Sequence, residues 1–220
     1  MTAWATVPVD VTRLYSPVGL RLLDELNGET RIGNVWATLD VLEVNRSWRQ
    51  TDTREVRTPS GVVAYPGLER HADVTGLEPR QYRVRLTAEF YVPYYRANSN
   101  GIPFTAYPFN DTNPPAVIVG MATDTLLLPA PNYPFATHIP VLRGLVIDAA
   151  RKPVPDAYVT QTSKERVLTD SRGTFALPLR WAQLNVRISI DATDQRTGRH
   201  GSIQIRLPDS LRQSQTIPIR

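Results

Sequence analysis

The sequence predicts an all-β protein made of two tandem β-sandwich domains. Short runs rich in apolar and β-branched residues recur along the chain, and each run is bounded by Pro, Gly, Asn or Asp. Four of these runs return in the same order in both halves of the chain. The 220 residues also include 19 prolines, which favour short segments over long helices.

The predicted strands combine apolar and β-branched residues, and several alternate apolar with polar residues, which is the period of a half-buried sheet. They cover residues 35–44, 82–92, 142–148, 157–162, 172–177, 185–192 and 201–207. The segment G-L-R-L-L-D-E-L-N-G, over residues 19–28, fits two structures. Its leucines share one face of a short helix, but its flanking glycines and its place in the repeat fit a strand equally well.

The internal repeat consists of four pairs of segments that occur in the same order. The pairs are 19–24 with 144–148, 32–38 with 154–160, 58–65 with 169–177, and 82–88 with 185–192. Because the spacings differ, the first copy must contain insertions. The repeat predicts that both domains share one fold and one ancestry.

These patterns divide the chain into four parts. We predict an extended N-terminal arm over 1–17, a first β-sandwich over 18–128, a Pro-rich linker over 129–140 and a second β-sandwich over 141–220. A long loop rich in aromatic residues, prolines and asparagines interrupts the first sandwich at about 91–115.

Composition removes several classes of function. The chain contains no cysteine, so disulfides and thiolate-bound zinc are excluded. No apolar run is long enough to span a bilayer, and the first residues lack the pattern of a signal peptide. Net charge is +4, but the arginines are scattered at alternate positions of predicted strands, which indicates a solvated sheet face and no nucleic-acid specificity.

The second predicted sandwich carries a recognisable series of turn and core residues. The series is Gly144-x-Val146-x-Asp148, then Pro153-Val154-Pro155-Asp156-Ala157, then Asp170-x-x-Gly173-x-Phe175-x-Leu177. It resembles the carboxypeptidase regulatory-like domain, which implies a seven-stranded Greek-key sandwich of the transthyretin-like or Ig-like kind. Asp170 and Gly173 suit a hairpin turn, and Phe175 and Leu177 point into the core. The resemblance assigns structural roles to Gly144, Asp148, Pro153, Ala157, Asp170, Gly173, Phe175 and Leu177.

The linker offers a second resemblance. L-P-A-P-N-Y-P-F, followed by R-G-L-V, is similar to the segment before such domains in cap or collar proteins of contractile phage tails and extracellular contractile injection systems. This context implies a structural subunit that assembles inside the producing cell and then forms part of a virion or extracellular particle.

Catalytic and metal-binding motifs are missing from the sequence. The histidines His71, His138 and His200 have no partner at metal-ligand spacing, and a nucleophile elbow, a P-loop and a dinucleotide fingerprint are absent. The aspartates lie at turns and strand ends and form no calcium loop. We therefore expect no enzymatic activity, no catalytic residue, no metal and no cofactor.

The remaining candidate site is a set of aromatic residues on the long loop and the linker. Three interpretations stay open: rings folded back onto their own sandwich, an exposed anchor for a neighbouring subunit, or a platform that stacks on sugars. The set comprises Tyr91, Tyr94, Tyr95, Phe104, Tyr107, Phe109, Tyr133 and Phe135.

The prediction for function is a non-enzymatic structural subunit of a phage tail or contractile injection particle. Its partners would be other subunits of a large assembly, through a homo-oligomeric ring or attachment to tail proteins, with no membrane involved. The alternative is a carbohydrate or cell-surface binding module that uses the aromatic loop. A C-terminal strand over 215–220 is expected to pair with the sheet edge of a neighbour.

Overall fold

The computed structural model describes residues 14–29, 31–95, 100–115, 122–161, 165–183 and 185–220. Within these ranges the regular secondary structure is almost entirely β-strand, which confirms the predicted all-β class. The exception is one short 3-10 helix, Asp209–Arg212. In the described segments, no helix has the length and apolar character needed to cross a membrane.

The first sandwich packs a five-stranded sheet against a four-stranded sheet, in the orders β4-β5-β1-β9-β7 and β3-β2-β6-β8. Its core is formed by the inward residues of both sheets, including Leu20, Leu39, Val63, Val84 and Leu127. Its described strands are β1 (Gly19–Asp24), β2 (Val35–Leu42), β3 (Trp48–Gln50), β4 (Val56–Arg57), β5 (Val62–Ala64), β6 (Arg80–Ala88), β7 (Tyr91–Pro93), β8 (Ile102–Ala106) and β9 (Thr123–Pro129).

The second sandwich packs a three-stranded sheet, β13-β10-β16, against a four-stranded sheet, β12-β11-β14-β15. Its core includes Leu142, Val159, Phe175, Ile190 and Ile217. Its described strands are β10 (Val141–Ile147), β11 (Ala157–Gln161), β12 (Glu165–Leu168), β13 (Thr174–Pro178), β14 (Arg187–Asp194), β15 (His200–Arg206) and β16 (Gln215–Pro218).

Both sandwiches share one strand topology. In the first, β1 pairs antiparallel with β5 and parallel with β9; in the second, β10 pairs antiparallel with β13 and parallel with β16. The four-stranded sheets also correspond, since β3-β2-β6-β8 and β12-β11-β14-β15 are antiparallel throughout. The short edge strands β4 and β7 are additions to the first copy. Strand pairing therefore follows the repeat read from the sequence.

Two predicted segments differ from the structure, and the two structures left open for residues 19–28 are resolved. Residues 19–24 form a strand, because Leu20 and Leu22 point into the core while Arg21 between them points outward. The aromatic loop contains strands β7 and β8; its residues 96–99 lie outside the described ranges. The C-terminal strand pairs within its own sandwich as β16, and Ile217 and Ile219 are fully buried, so it is not available to a neighbour's sheet edge.

The predicted domain limits also shift. Residues 1–13 of the predicted arm lie outside the described ranges, and residues 14–17 pack on the first sandwich, where Ser16 Oγ accepts a hydrogen bond from Tyr65 N. The first half of the predicted linker belongs to the first sandwich as well. Tyr133 lies in its core and Phe135 packs against that core. The connection between the sandwiches is therefore confined to about residues 136–140.

Gly144 on β10 has room for a hydrogen atom only. A Cβ at this position would collide with the Phe175 ring and with the backbone oxygen of Gln215 on β16. We expect Gly144→Ala to lower the free energy of unfolding by about 1–3 kcal/mol, because overpacking a buried contact forces neighbours apart. Urea denaturation followed by circular dichroism measures the change.

The repeat supplies the control. Gly19 occupies the corresponding position on β1, and a Cβ there would meet Ala122 and Val62 at ordinary contact distances of 3.4 to 3.6 Å. Gly19→Ala should leave the midpoint nearly unchanged. Equal effects from both variants would contradict the assigned close approach of β10, β13 and β16.

Candidate functional site

The eight aromatic residues singled out in the sequence are all at least partly covered. Tyr91, Phe109 and Tyr133 are buried in the first sandwich. The other five, Tyr94, Tyr95, Phe104, Tyr107 and Phe135, are half-buried. A ring in the core offers no surface to another subunit or to a sugar, so Tyr91, Phe109 and Tyr133 have structural roles and leave the candidate interface.

Two of these tyrosines bind one buried carboxylate at the end of β1. Asp24 Oδ2 accepts hydrogen bonds from Tyr133 Oη at 2.6 Å and from Tyr91 Oη at 3.1 Å, and Asp24 Oδ1 accepts one from Leu26 N. Tyr91 Oη in turn accepts a hydrogen bond from Ile32 N. Burial, reinforced by the Asp24 charge, raises the pKa of Tyr91 to about 12, so the Tyr91 hydroxyl keeps its proton and remains a donor at neutral pH.

Tyr94 lies where the two sandwiches meet. Its ring centroid is 6.4 Å from that of Tyr158 on β11, and the Arg166 guanidinium of β12 lies 5.8 Å from the Tyr94 ring. The same guanidinium binds Glu25 at 2.6 Å. Because Glu25 directly follows Asp24, the buried carboxylate and the junction are adjacent in the chain.

A second group of contacts reinforces this junction. Arg180 donates to the backbone oxygen of Leu26 in the first sandwich and binds Glu165 at 2.8 Å in its own. Arg143 donates to the backbone oxygen of Pro131 at 2.7 Å. The described contacts across the junction therefore include an ion pair, hydrogen bonds to backbone oxygens and the ring contacts of Tyr94, and the sequence analysis predicted none of them.

The remaining aromatic residues stabilise the first sandwich. Tyr95 Oη accepts a hydrogen bond from Leu86 N and donates one to Leu86 O, which satisfies β6 where β8 no longer pairs with it. Phe104 stacks on Tyr82 with centroids 5.7 Å apart, and Phe109 meets Tyr15 edge to face at 5.5 Å. Tyr107 lines a small cleft beside Tyr15.

The residues assigned to turns and core in the second sandwich lie at the positions that such roles require. Asp170 Oδ1 accepts hydrogen bonds from the backbone nitrogens of Arg172 and Thr174, and Gly173 has a φ of 73°. Phe175 and Leu177 are buried. Asp148 Oδ1 likewise accepts from the backbone of Ala150 and Lys152, Pro153 bridges to Ile147, and Ala157 is fully buried.

The outward side of the β3-β2-β6-β8 sheet is an unusual surface that the sequence analysis did not single out; we call it the Trp–Arg face. It contains Trp36, Trp48, Arg83 and Arg85. Trp36 is 54% exposed, and the Arg83 guanidinium lies 4.6 Å from the Trp48 ring. Strand alternation could have predicted this surface. Trp36 and Asp40 are an even number of residues apart on β2, so they lie on the same side of the sheet, and Asp40 pairs with Arg83 on β6.

Asp40 holds both arginines of the Trp–Arg face. Its buried carboxylate accepts from Arg83 Nε at 2.8 Å, Arg85 Nε at 2.7 Å and Arg85 Nη2 at 2.9 Å. Burial alone would raise the pKa of Asp40, but the hydrogen bonds from Arg85 and Arg83 outweigh it and hold this pKa below its ordinary value. The carboxylate thus fixes two guanidinium groups in place.

A third polar cluster lies near β6. Glu69 is nearly buried, has a φ of 63°, and accepts hydrogen bonds from Tyr82 Oη and, at 2.9 Å, His71 Nε2. One carboxylate and one imidazole meet here, and Arg80 Nη1 lies 3.5 Å from Glu69 Oε1. Among the described residues, no group of three or more His, Cys, Asp and Glu side chains is placed to hold a metal ion.

Comparison with known proteins gives fold-level likeness only. No protein-family model matches the chain, and no curated protein sequence matches it. Among solved structures, the chain is similar to the Bacillus anthracis TIE protein, at 14% identity and a TM-score of 0.28, covering 94% of this chain and 33% of that one. It is also similar to BcpA, the major pilin subunit of Bacillus cereus, at 9% identity and a TM-score of 0.31, covering 94% and 69%.

Likeness at these TM-scores transfers no function, and the chain spans only a third of the TIE protein's length. The fold assignment rests on the strand pairing described above. The resemblance to the carboxypeptidase regulatory-like family finds no support in a family match.

Asp40 should make stability depend on acid pH. Its pKa is lower in the folded protein than in the unfolded chain, so its contribution is present above about pH 4 and is lost as pH falls through the folded pKa. At pH 7 we expect Asp40→Asn to reduce the free energy of unfolding by about 1–3 kcal/mol. Urea denaturation at several pH values should show this difference shrinking below pH 4.

Asp124→Asn is the matched control, because Asp124 also binds an arginine, Arg21, but both side chains are exposed. Its effect should be much smaller, since water screens an exposed pair. A constant gap between wild type and Asp40→Asn from pH 7 to pH 2 would contradict the assigned role of Asp40.

The junction can be tested with Glu25→Gln, Arg166→Gln and the double variant. Both side chains are partly exposed, so we expect a coupling energy of about 0.5–1 kcal/mol between them. Small-angle X-ray scattering of each single variant should show a broader distribution of distances between the sandwiches. Additive stability effects together with unchanged scattering would contradict a junction held by this pair.

Proposed function

We propose that the protein is a non-enzymatic structural subunit that mediates protein–protein assembly in a phage tail or contractile injection particle. Its partners are other subunits of that particle. Assembly takes place in the cytoplasm of the producing cell, before the particle reaches the outside.

The Trp–Arg face is the observation that carries this proposal. The outward side of an antiparallel sheet is ordinarily polar, whereas Trp36 presents more than half of its surface to solvent here. Tryptophan and arginine dominate the residues that supply binding energy at protein interfaces. Asp40 and Trp48 already order Arg83 and Arg85, so a partner that binds them loses little side-chain entropy.

The junction between the sandwiches supports the same proposal. Glu25, Arg166, Tyr94 and Arg180 connect the two folds by direct contacts beyond the covalent linker. A structural subunit must transmit position from one neighbour to another, and such contacts restrict the motion expected of two tethered domains.

The assignment to a phage tail or injection particle is the finer part of the proposal. It is supported by the resemblance of the linker, with the R-G-L-V that follows it, to the segment before such domains in cap or collar proteins of these particles. The sugar-binding alternative receives less support, because stacking on sugars needs exposed rings and none of the eight aromatic residues first considered is fully exposed.

Sedimentation of a lysate from the producing cells tests the proposal. We expect the chain, followed by mass spectrometry, to migrate with a particle far larger than a 220-residue monomer. If it stays at the top of the gradient as a monomer, the proposed function is wrong, and a glycan array becomes the next experiment.

Trp36→Ala tests the Trp–Arg face within that experiment. Because the side chain is exposed, the variant should fold normally. The fraction of the chain that migrates with the particle should fall, since loss of an exposed interface tryptophan weakens binding by about 2 kcal/mol. Trp181→Ala is the control, since Trp181 is also exposed but lies in the second sandwich. Full incorporation of Trp36→Ala would exclude this face as the contact.

A further inference from the structure

Two exposed arginines face each other across neighbouring strands of the second sandwich. Arg187 on β14 pairs directly with Arg206 on β15, and both side chains point away from the core formed by Ile190 and Ile205. Like charges in directly opposed positions destabilise a sheet. Among the described residues, no carboxylate lies within ion-pair distance of either guanidinium, and we call these two residues the arginine pair.

Arg187 and Arg206 oppose each other directly, at paired positions of β14 and β15. Five other arginines of the second sandwich each have a carboxylate partner: Arg166 with Glu25, Arg172 with Asp170, Arg180 with Glu165, Arg196 with Asp156, and Arg199 with Asp194. Arg143, Arg151, Arg212 and Arg220 also have no carboxylate within ion-pair distance among the described residues, but none of these four pairs with another arginine across neighbouring strands. This arrangement is expected where the counter-charge comes from another molecule.

The parts of the chain before and after residue 140 carry opposite net charge. Residues 141–220 contain 13 Lys and Arg against 7 Asp and Glu, a net charge of +6. Residues 1–140 contain 12 against 14, a net charge of −2. The second sandwich of one copy is therefore electrostatically attracted to the first sandwich of another.

The first sandwich presents a matching surface on the loop of residues 71–79, which we call the acidic loop. Asp73 and Glu78 are exposed, and Leu77 between them is 43% exposed. Asp73 Oδ1 accepts hydrogen bonds from Thr75 N and Thr75 Oγ1, which fixes the carboxylate. These bonds hold the pKa of Asp73 below its ordinary value, so it stays charged at neutral pH.

We propose that the arginine pair of one copy binds the acidic loop of a second copy, so that copies associate head to tail. Two guanidinium groups meet two carboxylates, and exposed Val186, next to Arg187, meets exposed Leu77. The contact joins different surfaces of the two copies, so repetition closes a ring or extends a filament. The inference rests on the proposed function, for which it identifies one partner as the chain itself.

Charge reversal gives a decisive test. The first variant, Arg187→Glu with Arg206→Glu, and the second, Asp73→Arg with Glu78→Arg, should each associate at least ~10-fold more weakly than wild type. Sedimentation velocity over a range of protein concentrations measures this. An equimolar mixture of the two variants should recover association, because each reversed surface then meets its complement.

Two charge changes outside both surfaces serve as controls. Asp52→Arg and Lys152→Glu alter exposed charges outside both surfaces and should leave association unchanged. A monomeric wild type at all concentrations overturns the inference, as does association that persists in either variant or fails to return in the mixture. Loss in the first variant alone would mean that the arginine pair binds another acidic surface, which also overturns it.

The particle experiment separates this inference from the proposed function. If wild type and both charge-reversed variants migrate equally with the large particle, the subunit role stands and the head-to-tail contact is wrong. If wild type self-associates in purified form but never migrates with a particle, the contact stands and the proposed function is wrong.

Discussion

The Asp24 carboxylate is the constraint on which the arrangement of the two sandwiches depends. It is fully buried at the end of β1, and a buried charge is tolerated only when hydrogen bonds replace its water. Tyr91 from β7, Tyr133 from the segment after β9 and the backbone of Leu26 supply those bonds. One side chain thereby holds the edge strand β7, the segment that leads from the first sandwich to the second, and the turn that follows β1.

That turn leads directly to the second sandwich. Glu25 binds Arg166, and the backbone oxygen of Leu26 accepts from Arg180. Tyr133, just before the covalent connection between the sandwiches, binds the same carboxylate. The covalent connection and the contacts of Glu25 and Leu26 with the second sandwich therefore all begin close to Asp24 in space. Loss of this carboxylate would affect the core of the first sandwich and the junction together.

Local sequence patterns predict much of the fold and little of the candidate surfaces. Alternation of Tyr82, Val84 and Leu86 with Arg83 and Arg85 places β6 and its two faces, and Asp170 with Gly173 identifies a hairpin turn. Local patterns do not show which residues far apart in the sequence come into contact. Asp24 and Tyr133 are 109 positions apart. Likewise, the edge of β10 with which β16 pairs exists only once the second sandwich has folded.

The parallel pairing of the first and last strands of each sandwich has a consequence for biosynthesis. During translation β1 is made about a hundred residues before its parallel neighbour β9, and β10 is likewise made before β16. Such non-local contacts form slowly. On the ribosome, each sandwich exposes one side of its central strand until its last strand has emerged, so the first unit can close while the second is still being made.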